Sequence, residues 1–184
     1  MFCLRAEVVM YPCNMEYSRW LLFWFLLSSC TVSYDSMFVL SRPRSLPDGD
    51  LASFFHVYHY YITIDTAYGD MDNEFTWAQT WLNVAEVCIQ LVTVYLMLSK
   101  HPLGCFVGFL VTTMTFWKTV LYMMQYTNLC NGSHLIEHLD MATLMFGFLI
   151  PNLTWIVVPF LLMVYFGRRI VSALLNQKSM EKAD

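Results

Sequence analysis

Residues 140–167 read DMATLMFGFLIPNLTWIVVPFLLMVYFG. No Asp, Glu, Lys or Arg occurs at positions 141–167. At about 1.5 Å rise per residue, some 20 apolar residues cross the hydrocarbon core of a bilayer, and this run is longer. It does not alternate apolar and polar residues as a barrel strand does. Every backbone N–H and C=O in hydrocarbon must be bonded internally, so the run reads as a membrane-spanning helix.

The rest of the chain repeats the pattern. Positions 20–34, 103–117 and 119–136 also lack charged side chains. Of the 184 residues, 58% are hydrophobic and 13% charged, against about 45–50% apolar and 25% charged in soluble domains. This composition excludes a soluble enzyme, a disordered chain and a disulfide scaffold. A net charge of −4 offers no basic stripe for nucleic acid. The expectation is an all-α integral membrane protein with four transmembrane helices, at about 20–40, 75–98, 103–127 and 140–167. A short interfacial or re-entrant segment, rich in aromatic residues, falls at about 51–68. A five-span arrangement is the alternative. Arg42-Pro43 to Asp50 and Lys100-His101-Pro102 break the helices.

The Lys/Arg bias sets orientation. With four spans, Arg5, Arg19, Lys100, Arg168, Arg169, Lys178 and Lys182 share one side, and Arg42 and Arg44 occupy the other. Both termini are therefore expected in the cytoplasm: residues 1–19 as an N-terminal segment, 20–170 as the membrane domain and 171–184 as a tail. Asn131-Gly132-Ser133 is then a luminal N-glycan acceptor motif close to the membrane, whereas Asn152-Leu153-Thr154 is buried mid-span. The first span is read as retained, because a mixed-charge segment precedes it and no clean cleavage site follows. Six cysteines show no CxxC or metal-ligand spacing, so no metal site, disulfide framework or cofactor is implied.

Ionisable groups inside spans cost about 2.5–3.5 kcal/mol each on insertion scales and commonly mark function. Three occur: Asp35, Glu86 and Lys118. Gln79, Asn83, Glu86 and Gln90 fall at i, i+4, i+7 and i+11, one stripe of the second helix. Ser28, Thr31 and Asp35 share a face of the first, and Thr115, Lys118, Thr119 and Tyr122 a face of the third. Asn152 and Trp155 lie one turn apart in the fourth, flanked by Pro151 and Pro159. Helical rise places Asp35 roughly 9 Å, Lys118 roughly 13 Å, Glu86 roughly 16 Å and Asn152 roughly 18 Å from the luminal end of its span. That common layer is what a polar intramembrane pocket requires. Helix–helix glue for the stripe, and a structural ion pair for Glu86 and Lys118, are the competing readings. His56, His59, His134 and His138 read as interfacial or loop residues.

Several short motifs resemble the EXPERA family, which includes the sterol Δ8–Δ7 isomerase known as the emopamil-binding protein, the sigma-2 receptor and the TM6SF proteins. They are Asn152-Leu153-Thr154-Trp155 with Pro159, Val120-Leu121-Tyr122, Asp65 with Tyr68, Phe75-Thr76, and Asp35-Ser36-Met37-Phe38-Val39-Leu40. The resemblance covers about residues 20–170. It implies an endoplasmic-reticulum membrane protein that binds a sterol or another amphipathic lipid. Thr31, Asp65, Gln79, Asn83, Lys118, Tyr122, Asn152 and Trp155 would contact the ligand. In the isomerase alternative, Asp35 and Glu86 are the catalytic acid and base, and Asn152 and Trp155 hold the carbocation. Thr31 stands where that isomerase has a His, and Lys118 would repel a developing cation; both features favour binding without catalysis. The implied partners are the lipid ligand, the bilayer and, as an open arrangement, a second copy of the chain in a homodimer.

Overall fold

The computed structural model describes residues 17–180, with side chains described as far as 176. Segments 1–16 and 181–184, with Arg5, Cys3, Cys13 and Lys182, lie outside the described residues. Helices α1 (Arg19–Leu40), α3 (Glu74–Leu98) and α4 (Leu103–Met124) match the expected spans within a few residues. Short polar side chains start α1 and α3 by accepting otherwise unpaired backbone N–H groups. Ser18 caps α1, and Asn73 accepts from Thr76 N at 2.9 Å to cap α3. Lys100 in the left-handed region, φ 52°, turns the chain from α3 into α4. Helix α4 stops at Met124, before the expected Thr127, because the chain turns there and Tyr126 bonds to Asp65.

The segment after α1 forms a run of turns and then α2 (His56–Ile64). Nine residues rise about 13 Å, less than half the hydrocarbon thickness, so the five-span arrangement is ruled out. Asp65 ends α2 and caps the following 3-10 turn, Thr66–Tyr68.

The last helix begins with one turn, α5 (Met141–Thr143), capped by Asp140. It passes through a π-helical segment, Leu144–Leu149, into α6 (Ile150–Met180). The π segment sits just before Pro151. Proline lacks an N–H for the i−4 carbonyl and its ring crowds that carbonyl, so the wider turn accommodates it. Helix α6 runs past Gly167, where the sequence suggested an end. Residues 168–180 contain no Pro or further Gly, and one interior Gly costs only about 1 kcal/mol. The expected tail from 171 is therefore helical up to Met180.

These four long helical segments are long and apolar enough to cross a membrane, and no strand occurs among the described residues. Helix α1 packs on α3, α3 on α4 and α4 on α6. Gly108 makes the last contact close: a Cβ there would stand 2.8 Å from the Phe166 ring. Two apolar cores result. One, at the Arg19 end, holds Leu21, Trp24, Phe25, Val94, Met97, Val111 and Phe166. The other, at the Leu40 end, holds Phe38, Phe55, Ile64, Tyr68, Tyr122, Tyr126 and Phe148. Between them lies a layer of buried polar side chains that includes Ser28, Asn83, Glu86, Gln90, Thr115 and Asn152.

Candidate functional site

Helices α1 and α6 meet through aromatic rings in the first core, with Trp24 and Trp155 centroids 5.1 Å apart and Phe25 and Phe166 6.3 Å apart. Beyond Trp155 a cavity of about 300 Å³ opens, closed on one side by α2. That volume is within the usual range of small-molecule sites. Its wall contains Thr31 and Asp35 from α1, Gln79, Asn83 and Glu86 from α3, Lys118 and Tyr122 from α4, and Asn152 and Trp155 from α6. Helical periodicity placed each of these on an inward stripe, and the tertiary fold brings the stripes together.

The polar groups form one chain of contacts. Tyr58 OH donates to Asp35 Oδ1 at 2.8 Å. Tyr68 OH and Asn83 Nδ2 donate to Asp35 Oδ2 at 3.2 and 3.0 Å. The other end of the Asn83 amide accepts from Lys118 Nζ. Lys118 Nζ lies 2.6 Å from Glu86 Oε2. Gln90 Nε2 donates to Glu86 Oε1 at 2.8 Å and to Ser28 Oγ at 2.9 Å, and Ser29 Oγ donates to Gln90 Oε1 at 2.9 Å. Glu86 is 1% exposed. A buried carboxylate is tolerable only when paired and hydrogen-bonded, and Lys118 and Gln90 meet both needs. Asp35, by contrast, is held by three neutral donors. The cavity therefore carries one neutralised ion pair and one further carboxyl group.

Asp65 does not line the cavity. It is fully buried behind Tyr122, accepts from Tyr122 OH, and accepts from Tyr126 OH at 2.6 Å and Ala67 N at 3.2 Å. Burial pushes its carboxyl above the usual carboxylate value, and the tyrosine hydrogen bonds oppose that rise. Its place is structural: it ties the α2 segment to the end of α4. The ligand contact expected for Asp65 is thus corrected: its carboxylate is instead engaged by Tyr122, Tyr126 and Ala67 N, and it is not among the residues of the cavity wall. Thr31 reaches the wall, but its hydroxyl donates to Leu27 O at 2.9 Å. Asn152 Nδ2 donates to Phe148 O at 2.8 Å, inside the π segment. Asn131 is exposed, with φ 57°.

Some wall residues escaped the periodicity argument. Tyr58 and Tyr61 lie in the segment read as an interfacial aromatic ribbon, yet both enter the cavity wall, with Tyr34, Tyr68 and Pro151. The spacing of Tyr58 and Tyr61 puts them on one helical face, which was a usable signal. What a short amphipathic helix covers is a tertiary matter. Burial raises the Tyr58 phenol far above its ordinary value, so it stays a donor to Asp35. Gln79 Nε2 donates to the Lys118 carbonyl at 3.3 Å, and its buried Oε1 has no hydrogen-bond partner among the described residues. No cluster of three metal-binding side chains occurs among the described residues. No protein-family model, curated protein or solved structure matches this chain.

Proposed function

We propose that this protein is a multi-pass membrane protein that binds a sterol or related amphipathic lipid in the cavity between α1 and α6, without catalysing its conversion. The observation that carries the reading is the cavity itself: a polar end built on Asp35, Asn83 and Gln79, and an apolar side of Val32, Val57 and Trp155. Ligand sites typically combine such apolar walls with a few converging polar groups. Val57 is 58% exposed, and Thr31 and Pro151 are exposed, so the α1–α6 side offers a lipid a lateral way in. Asp35, Tyr58, Asn83, Gln79, Asn152 and Trp155 are assigned to the ligand. The EXPERA resemblance supports the sterol class and the endoplasmic reticulum, with both termini cytoplasmic.

The Lys118–Glu86 distance of 2.6 Å argues against the isomerase alternative. A double-bond shift by proton transfer needs an acid and a separate base at the sterol, and here one of the two carboxyl groups is committed to an ammonium. A photo-crosslinking sterol probe should label peptides around Asn152 and Trp155, and Asp35→Ala should cut that labelling at least tenfold. Labelling confined to outward residues such as Trp81 and Trp117 would overturn the site. Expression in cells lacking sterol Δ8–Δ7 isomerase should leave the sterol profile unchanged; rescue would establish catalysis instead.

A further inference from the structure

We infer that the cavity selects lipids bearing a free hydroxyl, and that Gln79 is the residue that recognises it. The inference rests on the reading of the cavity as a lipid site. It narrows the ligand to an alcohol, as against the matching ketone, ether or ester. Gln79 lies on the inward stripe of α3 and in the cavity wall, only 8% exposed. Its amide has a fixed orientation. Nε2 donates to the Lys118 carbonyl at 3.3 Å, and a carbonyl can only accept, so the NH2 end must face α4. Oε1 is the end left over, buried and without a hydrogen-bond partner among the described residues. A buried acceptor that nothing meets is a cost to the fold, and native structures seldom leave one without a reason.

The polar groups of the wall are largely committed elsewhere. Thr115 and Thr119 border the cavity but donate within their own helix, to Val111 O at 3.0 Å and Thr115 O at 2.9 Å. Tyr122 OH donates to Asp65. Tyr58, Tyr68 and Asn83 donate to Asp35, so the acceptors of that carboxyl group are met while that of Gln79 is not. A hydroxyl suits this arrangement. Its O–H donates to Gln79 Oε1, and its oxygen stays free to accept. A ketone, ether or ester oxygen only accepts, and against Oε1 it would set lone pair against lone pair. A protonated amine also donates, but Asp35, the carboxylate it would pair with, has both oxygens occupied, and the Lys118 ammonium in the same wall repels a second cation. A site built to bond a hydroxyl discriminates strongly against the analogue that lacks it, because the buried partner is then left unpaired. Val32, Val57 and Trp155 take the apolar body of either lipid, so Gln79 governs selectivity.

The test uses the full-length protein in nanodiscs, with the photo-crosslinking sterol as reporter. Three competitors share one ring skeleton: cholestanol, cholestanone and aminocholestane. In wild type, cholestanol should displace the reporter at about one tenth of the concentration that cholestanone needs. Gln79→Met keeps the length of the side chain and removes its acceptor. It should bring that ratio below about two, mainly by weakening the alcohol. Because the ratio is taken within each variant, a loss of folded protein leaves it unchanged. Thr31→Val, at a wall position whose hydroxyl is already bonded to Leu27 O, should keep the wild-type ratio. Equal displacement by alcohol and ketone in wild type would overturn the inference. So would a ratio unchanged in Gln79→Met, a ratio lost equally in Thr31→Val, or aminocholestane as the strongest competitor. In each of those cases a reporter that still labels Asn152 and Trp155 leaves the lipid site standing. Labelling confined to outward residues removes both.

Discussion

Asn83 is the residue through which the two charged centres of the cavity meet. One end of its amide donates to Asp35 and the other accepts from Lys118. Asn83→Leu should therefore weaken ligand binding about as much as Asp35→Ala, although it removes no charge; a sterol-binding titration measures this. Lys118→Met should destabilise the protein by about 3–5 kcal/mol, because it leaves Glu86 buried and unpaired. The double variant Glu86→Leu with Lys118→Met should recover most of that loss in thermal unfolding. Asp65 is a different case. Asp65→Ala removes the carboxylate acceptor of two buried tyrosine hydroxyls and leaves Tyr126 OH its contact with Tyr122 OH at 3.1 Å; it should cost about 1–3 kcal/mol in all and lower the melting temperature more than any change at Thr31. Because burial raises the Asp65 carboxyl, its ionised form opposes folding. The wild type should then lose stability as pH rises from its ordinary 3.8 through the raised folded value, and Asp65→Asn should lack that component in a pH series of melting curves.

Among the elements, the last helix does the most to shape the site. The π segment and Pro151 together set where Asn152 and Trp155 point. Pro151→Ala restores a donor to the backbone ladder and relieves the crowding that the wide turn accommodates. It should raise thermal stability slightly and lower sterol affinity, because Asn152 rotates with the regularised turn. Helix α2 acts as a cover whose polar hold on the bundle includes Tyr58 to Asp35 and His138 to the Thr63 carbonyl at 2.9 Å. At the other end, Gly108→Val would force Phe166 out of the first core. Between membrane helices, close packing around small residues replaces the hydrophobic drive, so this change should separate α4 from α6 and reduce folded yield.

For the molecule as a whole, the arrangement among the described residues is two apolar cores with a polar layer between them and a cavity opening into that layer. The cores hold the helix ends together, so the middle can keep a cavity without loss of the fold. The proposed orientation follows from the basic residues around Lys100 and Arg168–Arg169, against Arg42 and Arg44 at the opposite end. Epitope tags at the N and C termini should both be reached after selective plasma-membrane permeabilisation, and a tag inserted after Leu129 should be protected. Exposure of the Leu129 tag with burial of the terminal tags would invert the assignment.

Four long apolar runs and their inward polar stripes were legible because hydrocarbon forces helices, and helices impose a period of 3.6 residues. From that, Asp35, Glu86, Lys118 and Asn152 could be assigned to one layer, and Gln79, Asn83, Tyr122 and Trp155 to the same helix faces, before any contact was known. The periodicity of each helix could not say which stripe faces which, because helix order around a bundle depends on side-chain fit, such as Gly108 against Phe166. Nor could it separate Tyr58, which closes the cavity, from Asp65, which braces its outer side. Both belong to a stretch with no long periodic pattern, whose direction is set by where its ends bond. Helical period and hydrocarbon solvation act within a segment, whereas the cavity, its cover and its paired charges arise only where segments meet.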